Sequence, residues 1–418
     1  MKPLRTLYIC YFGLREPLVQ TQVLPYLRAL AAAGLGVHLL TFEPEMQRAW
    51  DAGTERDERA RLSEDGINWS ALPYHKRPSV PATLYDITAG ARAAVRLVLK
   101  HDIDVIHARA HIPLAMALIA ARLTRCSLIF DIRGLMAEEY ADAGVWAAGS
   151  LKFRAIKKLE RAGLKRAEQI VVLTQTLRDL LIEQRLVTAD KIEVIPCCVD
   201  FSRYVAGDND LDGHDLAAER FEVIYAGSVT GLYLLEEMGR FFAALRTREP
   251  RAFLRILTMS SRDEAAARLL QAGLSPDHFW IGKVSADEVP HQLRRARLGL
   301  SFRKPTFSQV AASPTKIPEY LAAGLPVVSN SGIGDVDNLL ESERVGVVVR
   351  DFTNAEFARA AEVAHNLSND ARVRTHCVEV ARRYFDLQAV GGTGYANVYN
   401  RIANINAKKA SLKAHDQS

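Results

Sequence analysis

Ser313-Pro314-Thr315-Lys316-Ile317-Pro318-Glu319-Tyr320-Leu321-Ala322-Ala323-Gly324-Leu325-Pro326-Val327-Val328 is the run of sequence that says most about the fold. Ser313 and Thr315 suit a helix start, and proline is tolerated in a first turn, where its missing N–H would have had no partner. Gly324 suits the stop, because glycine enters the left-handed conformation without penalty. The apolar residues that follow open a buried strand. Lys316 and Glu319 are three apart and share one face near the helix start. Unpaired N–H groups and a partial positive charge make that end receptive to phosphate, and the Lys316 ammonium adds to it. A carboxylate one turn on can accept hydrogen bonds from the paired hydroxyls of a ribose. A lone Lys-x-x-Glu is usually no more than a surface ion pair on a capped helix. The whole sixteen-residue string lifts this one above that reading.

Outward from this segment, apolar runs of strand length alternate with longer stretches of helical period, the pattern of parallel α/β folds. Strands are expected at Leu7–Tyr11, Val37–Phe42, Asn68–Pro73, Asp104–His107, Ser127–Asp131, Gln169–Leu173 and Lys191–Ile195. Helical stretches fall near Thr21–Ala33, Thr83–Lys100, Pro113–Leu123, Leu151–Arg166 and Gln175–Glu183. Val205–Arg220 then loses large apolar residues and gains glycine, aspartate and asparagine, a linker composition. A second series begins at Phe221–Gly227 and continues at Phe253–Thr258, Phe279–Gly282, Leu298–Phe302, Leu325–Ser329 and Val345–Val349. Ser285-Ala286-Asp287-Glu288 reads as a capping box. The chain looks helical from Thr353 to about Ala407, with a polar, loose end from Lys408. The boundaries expected are 1–203, a linker at 204–220, 221–385, and 386–418 as a helix returning toward the first domain with a polar tail. Two parallel sheets facing across a cleft would bind ligand at their carboxyl ends.

At 418 residues the chain exceeds what one core usually supports. An excess of five positive charges is mild and supports no nucleic-acid partner. The N-terminal apolar segment ending at Cys10 is too short for a signal peptide, and no apolar run approaches the ~20 residues that span a bilayer. Five cysteines, without C-x-x-C or metal-ligand spacing, fit a reducing compartment. A cytoplasmic protein able to touch the inner face of the plasma membrane is the expectation. Leu151–Arg166 carries seven basic residues against the single acid Glu160, with Leu151, Ala155, Ile156, Leu159 and Ala162 as its apolar stripe. Such a helix is usually a solvated face, but it also suits anionic lipid.

The Ser313–Val328 segment resembles the donor-nucleotide segment of glycosyltransferase family 4, in the subgroup where it is followed by a G-x-G-D turn, here Gly332-Ile333-Gly334-Asp335. Tyr225-Ala226-Gly227-Ser228, Ile195-Pro196 to Asp200, and Phe130-Asp131-Ile132-Arg133-Gly134 extend the resemblance over most of the chain. It implies a GT-B fold, an acceptor-binding first domain, a nucleotide-sugar-binding second domain, and transfer with retention of configuration. Glu319 then matches the carboxylate that binds the donor ribose, and Lys316 the lysine that faces the diphosphate. Three features depart from the family pattern: Ala311 replaces the first of two glutamates eight apart, Gly227–Leu232 lacks the usual basic pair, and Asp131 stands where many relatives have histidine.

Stabilising the departing diphosphate would fall to Lys316, the backbone near Thr315 and Ser313, Gly227 with Ser228, and either Arg303 or Lys304 in place of the missing basic pair. Gly13 follows the first strand, where a glycine lets backbone approach a sugar or phosphate. Asp131 and Arg133 alternate along the chain and would project together, to orient an acceptor hydroxyl or bind its phosphate, or else to form a structural ion pair. His107 and Arg109 end a neighbouring strand. No D-x-D stands in a metal-binding context, so neither metal nor cofactor is expected. The expected partners are a UDP or GDP sugar and a saccharide or lipid-linked acceptor in surface polysaccharide or glycolipid assembly. A non-catalytic nucleotide-sugar-binding partner of another transferase, and a sugar-nucleotide epimerase or hydrolase, are the alternatives.

Overall fold

A computed structural model describes residues 3–46, 50–204 and 220–415. Two compact units result. One holds residues 1–141, 146–196 and 388–418, and the other holds 142–145 and 197–387. Most of the segment read as a linker lies outside the described residues, which resume at Arg220.

The first unit is built on seven parallel strands: β1 (Arg5–Ile9), β2 (Gly36–Glu43), β3 (Ile67–Pro73), β4 (Val105–Arg109), β5 (Ser127–Asp131), β6 (Gln169–Val172) and β7 (Ile192–Val194). Their order is β3-β2-β1-β4-β5-β6-β7. The second unit has β8 (Phe221–Ala226), β9 (Ala252–Leu257), β10 (Phe279–Gly282), β11 (Leu298–Ser301), β12 (Val327–Asn330) and β13 (Gly346–Val349), in the order β10-β9-β8-β11-β12-β13. Both are Rossmann-like sheets whose order reverses once, at β1/β4 and at β8/β11, and ligands bind beyond the strand ends at such points.

The continuous apolar runs have a direct cause. In the second sheet Val223, Tyr225, Leu298, Leu300 and Val328 pack into one core, while Ile224, Val327 and Val348 pack into another on the opposite face. A strand buried on both faces needs apolar residues at every position, so alternation disappears.

Several local expectations change in the structure. The helix expected over Thr21–Ala33 is two, Pro17–Gln22 and Leu24–Ala32. Pro25 has no N–H to donate to Thr21, and the chain breaks at Val23. Ala52–Glu64 is a helix that periodicity did not show, because Leu62 is its one fully buried large side chain. At Ser285 the glutamate does bond back, with Glu288 accepting from the Ser285 N–H and hydroxyl at 2.9 Å. The helix nevertheless starts only at Val289, so this is a turn rather than a capping box. The tail from Lys408 stays helical to His415. On the basic helix Leu151–Arg166, Leu151 is 81% exposed, and Glu160, Gly163 and Leu164 are the buried residues. Glu160 can be buried because His111, 3.0 Å away, and Lys157, 2.5 Å away, satisfy it.

Candidate functional site

The β8/β11 switch point positions four of the residues singled out in the sequence. Gly227 directly follows β8, with φ at +142° and its N–H on Leu257 O at 2.9 Å. Arg303 follows β11, and its backbone N–H donates to Asn330 Oδ1 at 2.7 Å. Lys316 and Glu319 lie on the helix Lys316–Ala322, which Gly324 (φ +76°) ends before β12. Both cations meet one ring. The Lys316 Nζ is 4.4 Å from the centre of the Tyr233 ring and the Arg303 Cζ 5.0 Å. The guanidinium is held in place by Gln309 Oε1 at 2.6 Å and the Tyr233 hydroxyl at 3.4 Å. A side chain at position 227 would put its Cβ 3.4 Å from the Lys316 Nζ, so glycine keeps the approach to the ammonium open.

Lys316 is 5% exposed. Among the described residues no carboxylate forms an ion pair with it. Burial lowers its pKa, opposed by Tyr233 and Glu319 and reinforced by Arg303. Two cations against one aromatic ring, with no acid joining them, are costly until an anion arrives. Glu319 likewise has no hydrogen-bond or ion-pair partner among the described residues, and burial raises its pKa. A vacant carboxylate beside an uncompensated pair of cations matches a nucleoside diphosphate: hydroxyls for the acid, phosphates for the bases.

The remaining residues of this segment are partly engaged. Ser313 Oγ accepts the Cys197 N–H at 3.1 Å, and the Ser228 carbonyl accepts the Tyr225 hydroxyl. Thr315 occupies the helix cap without a side-chain bond. The helix has only seven residues, so side chains rather than the macrodipole supply most of the positive charge. Lys304 donates its N–H to Leu232 O.

In the first unit the β1/β4 switch point carries a buried polar cluster. Asp131 is fully buried and accepts the Tyr395 hydroxyl at 2.9 Å. It stands 3.5 Å from His107 Nε2, 3.6 Å from Arg133 and 3.8 Å from Arg109. Burial opposes its charge, but Arg133, the adjacent His107 and Arg109 outweigh it and hold the carboxyl far below its ordinary range. Burial lowers the pKa of His107, whose Nδ1 meets the Tyr399 hydroxyl at 2.9 Å. The Asp131 carboxylate is therefore spent inside the protein, on Tyr395 and on holding Arg133, whose side chain is 9% exposed. Gly13 has a packing reason as well: a Cβ there would stand 2.7 Å from Pro44 Cδ. The adjacent Leu14 N–H bonds the buried Glu43 at 2.9 Å. Glu138 pairs with Lys157 at 2.7 Å. Tyr233, Gln309 and Tyr395 gave no signal in the sequence, since each acquires its role from a partner on another element.

Residues 19–198 match the model of the glycosyl transferase 4-like domain, and residues 220–366 that of glycosyl transferases group 1. Together they cover most of the chain. The chain belongs to the GT-B glycosyltransferases. Solved structures agree on the fold. Sucrose-phosphate synthase from Thermosynechococcus elongatus is 14% identical over 96% of this chain and 100% of its own, with a TM-score of 0.69. A glycosyltransferase from Rickettsia africae is 13% identical over 96% and 99%, also with a TM-score of 0.69. HepE from Anabaena, solved with UDP and glucose, is 16% identical over 95% and 99%, with a TM-score of 0.67. No curated protein matches the sequence significantly. In this glycosyltransferase the β8/β11 crevice, with Gly227, Arg303, Lys316 and Glu319, falls inside the group 1 domain.

Proposed function

We propose that this glycosyltransferase moves a hexosyl group from a UDP or GDP sugar to a saccharide or lipid-linked acceptor, with retention of configuration, in surface polysaccharide or glycolipid assembly. The observation that carries the reading is the pair of cations on Tyr233 beside the unpartnered Glu319. Glu319 holds the donor ribose. Lys316 and Arg303 hold the diphosphate, with Gly227, Ser228, Ser313 and Thr315 lining its approach. As the bond between the sugar C1 and the diphosphate oxygen breaks, negative charge grows on that oxygen, and preorganised cations stabilise it. The acceptor oxygen bonds C1, and its proton passes to the leaving phosphate. The two cations also repel a divalent ion, so their field takes the metal's part. Gly13 and Arg133 face acceptor or sugar in the first unit, with Asp131 positioning Arg133.

The surface of the first unit supports a membrane-associated acceptor. Three neighbouring helices, Ser79–His101, His111–Thr124 and Leu151–Arg166, expose Arg92, Arg96, Lys100, Arg122, Lys158, Arg161 and Lys165. Their two acids, Asp86 and Glu160, are buried. Leu99, Leu123 and Leu151 are exposed on the same three helices. No described helix is long and apolar enough to cross a membrane, and exposed cations and leucines on neighbouring helices suit attachment to anionic lipid.

Thermal unfolding with UDP and GDP sugars, in EDTA and again with added Mg2+, tests the donor site. A ligand at about 100 times its Kd adds about 2.7 kcal/mol to the native state. One nucleotide class should raise the wild-type midpoint and fail to do so in Glu319→Ala. A shift of equal size in both proteins removes Glu319 from the site, and a shift that requires a divalent ion removes the metal-independent reading.

A further inference from the structure

A second group of chemically competent residues lies at the carboxyl ends of β1 and β3, outside the donor site and the Asp131 cluster. Tyr74 and His75 directly follow β3, Tyr11 follows β1, and Asp86 sits two turns into the helix Ser79–His101. Asp86 is fully buried. Its Oδ2 accepts the Tyr11 hydroxyl at 2.7 Å and the His75 backbone N–H at 3.1 Å, and its Oδ1 lies 2.6 Å from His75 Nδ1. A carboxylate only accepts, so Nδ1 carries the proton, and it is in the neutral tautomer that Nε2 is the acceptor. The His75 side chain is 44% exposed, and among the described residues nothing bonds its Nε2. Ordinary surface histidines are free to turn. This one is fixed by a buried acid whose desolvation is offset by three donors.

Aromatic rings surround it. Tyr85, 60% exposed, meets the His75 ring edge-on at 5.0 Å. Tyr11 packs against Tyr74 at 5.3 Å. Tyr140 stacks on Trp146 at 4.4 Å, and its phenol pKa is raised by burial and by the nearby Tyr74. A pyranose has two kinds of surface, C–H faces that lie against aromatic rings and hydroxyls that donate. The aromatic walls answer the first and the fixed Nε2 the second.

We propose that His75, aligned by Asp86, is the hydrogen-bond acceptor of a hexopyranoside subsite walled by Tyr85 and Tyr74, the place where the acceptor sugar is held. The subsite deepens the transfer reading by making the acceptor's reactive end a sugar. Full-length protein carrying 13C at the histidine Cε1 positions is titrated with the methyl glycosides of glucose, galactose, mannose and N-acetylglucosamine. The His75 signal is assigned by its loss in His75→Gln. At least one glycoside should shift that signal saturably, with Kd raised about threefold to tenfold in Tyr85→Ala, a loss of the size expected for one aromatic contact. Binding should weaken about tenfold in Asp86→Asn, the scale of one misaligned hydrogen bond. A cooperative thermal transition with wild-type far-UV circular dichroism shows that each variant is folded. The inference is overturned if none of the four glycosides moves the His75 signal, or if Kd is unchanged in Tyr85→Ala. Glycoside binding in a protein that binds no nucleotide supports the subsite and sinks the transfer reading instead.

Discussion

Replacing Lys316 by methionine separates a binding cation from a structural one, because the two roles predict opposite signs. The variant keeps the apolar stem and removes the ammonium. In the free protein that ammonium is 5% exposed and has no carboxylate partner among the described residues. Its desolvation costs several kcal/mol, and the Tyr233 and Tyr225 faces, at 4.4 and 5.2 Å, return about 0.5 to 2 kcal/mol each. The net cost is about 1 to 3 kcal/mol, so Lys316→Met should raise the melting temperature of the ligand-free protein, on the order of 5 °C for a unit of this size. The pH dependence carries the same sign. Burial lowers the folded pKa of Lys316, so the unfolded chain binds more protons between the folded value and about 10.4. Wild-type stability should gain from rising pH across that window, and the variant should lack that gain. With nucleotide the order reverses. Losing a desolvated cation–phosphate contact costs about 2 to 4 kcal/mol, or about 30-fold to 1000-fold in affinity. A ligand concentration that stabilises the wild type by about 2.7 kcal/mol should then add less than about 1 kcal/mol. Scanning calorimetry of both proteins, with and without UDP and GDP sugars, measures all of this. A variant that melts lower and still responds fully to nucleotide refutes the reasoning.

Two further outcomes follow from the first unit. Tyr395→Phe removes a buried hydrogen bond to an ionised carboxylate and should cost about 1.5 to 3 kcal/mol, read as a lower denaturation midpoint with an unchanged nucleotide response. The folded pKa of Asp131 is depressed, so its stability contribution is complete above the unfolded value of about 3.9 and is lost as pH falls toward the folded value. Asp131→Asn should therefore flatten the acid side of the stability profile below about pH 4, and an unchanged profile would remove the charge cluster from the account. The exposed cations of the helix Leu151–Arg166 should bring the protein down with vesicles containing anionic lipid, and Arg161→Glu with Lys165→Glu should release it, about 1 kcal/mol per charge at low salt. Equal sedimentation of variant and wild type would remove this helix from the membrane contact.

Strands were the most legible feature. Ile170-Val171-Val172 or Val347-Val348-Val349 can be little other than interior strand, because both faces are covered and every side chain must be apolar. The helix Ala52–Glu64 was not legible, since ion pairs such as Arg59 with Glu55 and the Asp51 cap hold a surface with almost no apolar period. The break at Val23 was visible in principle, through Pro25, and was hidden by the strength of the surrounding pattern.

Of the candidate site, the sequence by itself supplied Lys316, Glu319 and Gly227, because a helix start, its charged face and the glycine after a strand are local features that follow from neighbours in the chain. It also supplied Arg303 as one of two cations after β11. Tertiary structure decided what each faces. Tyr233 brings Arg303 and Lys316 onto one ring, and this leaves Lys316 without an acid. Tyr395 takes up Asp131 from 264 residues away. His75 is an ordinary histidine in the sequence, and only the fold delivers Asp86 to its Nδ1. Hydrogen bonds and desolvation depend on distances of a few ångströms, and between remote residues those distances are set by how the strands are ordered in the sheet.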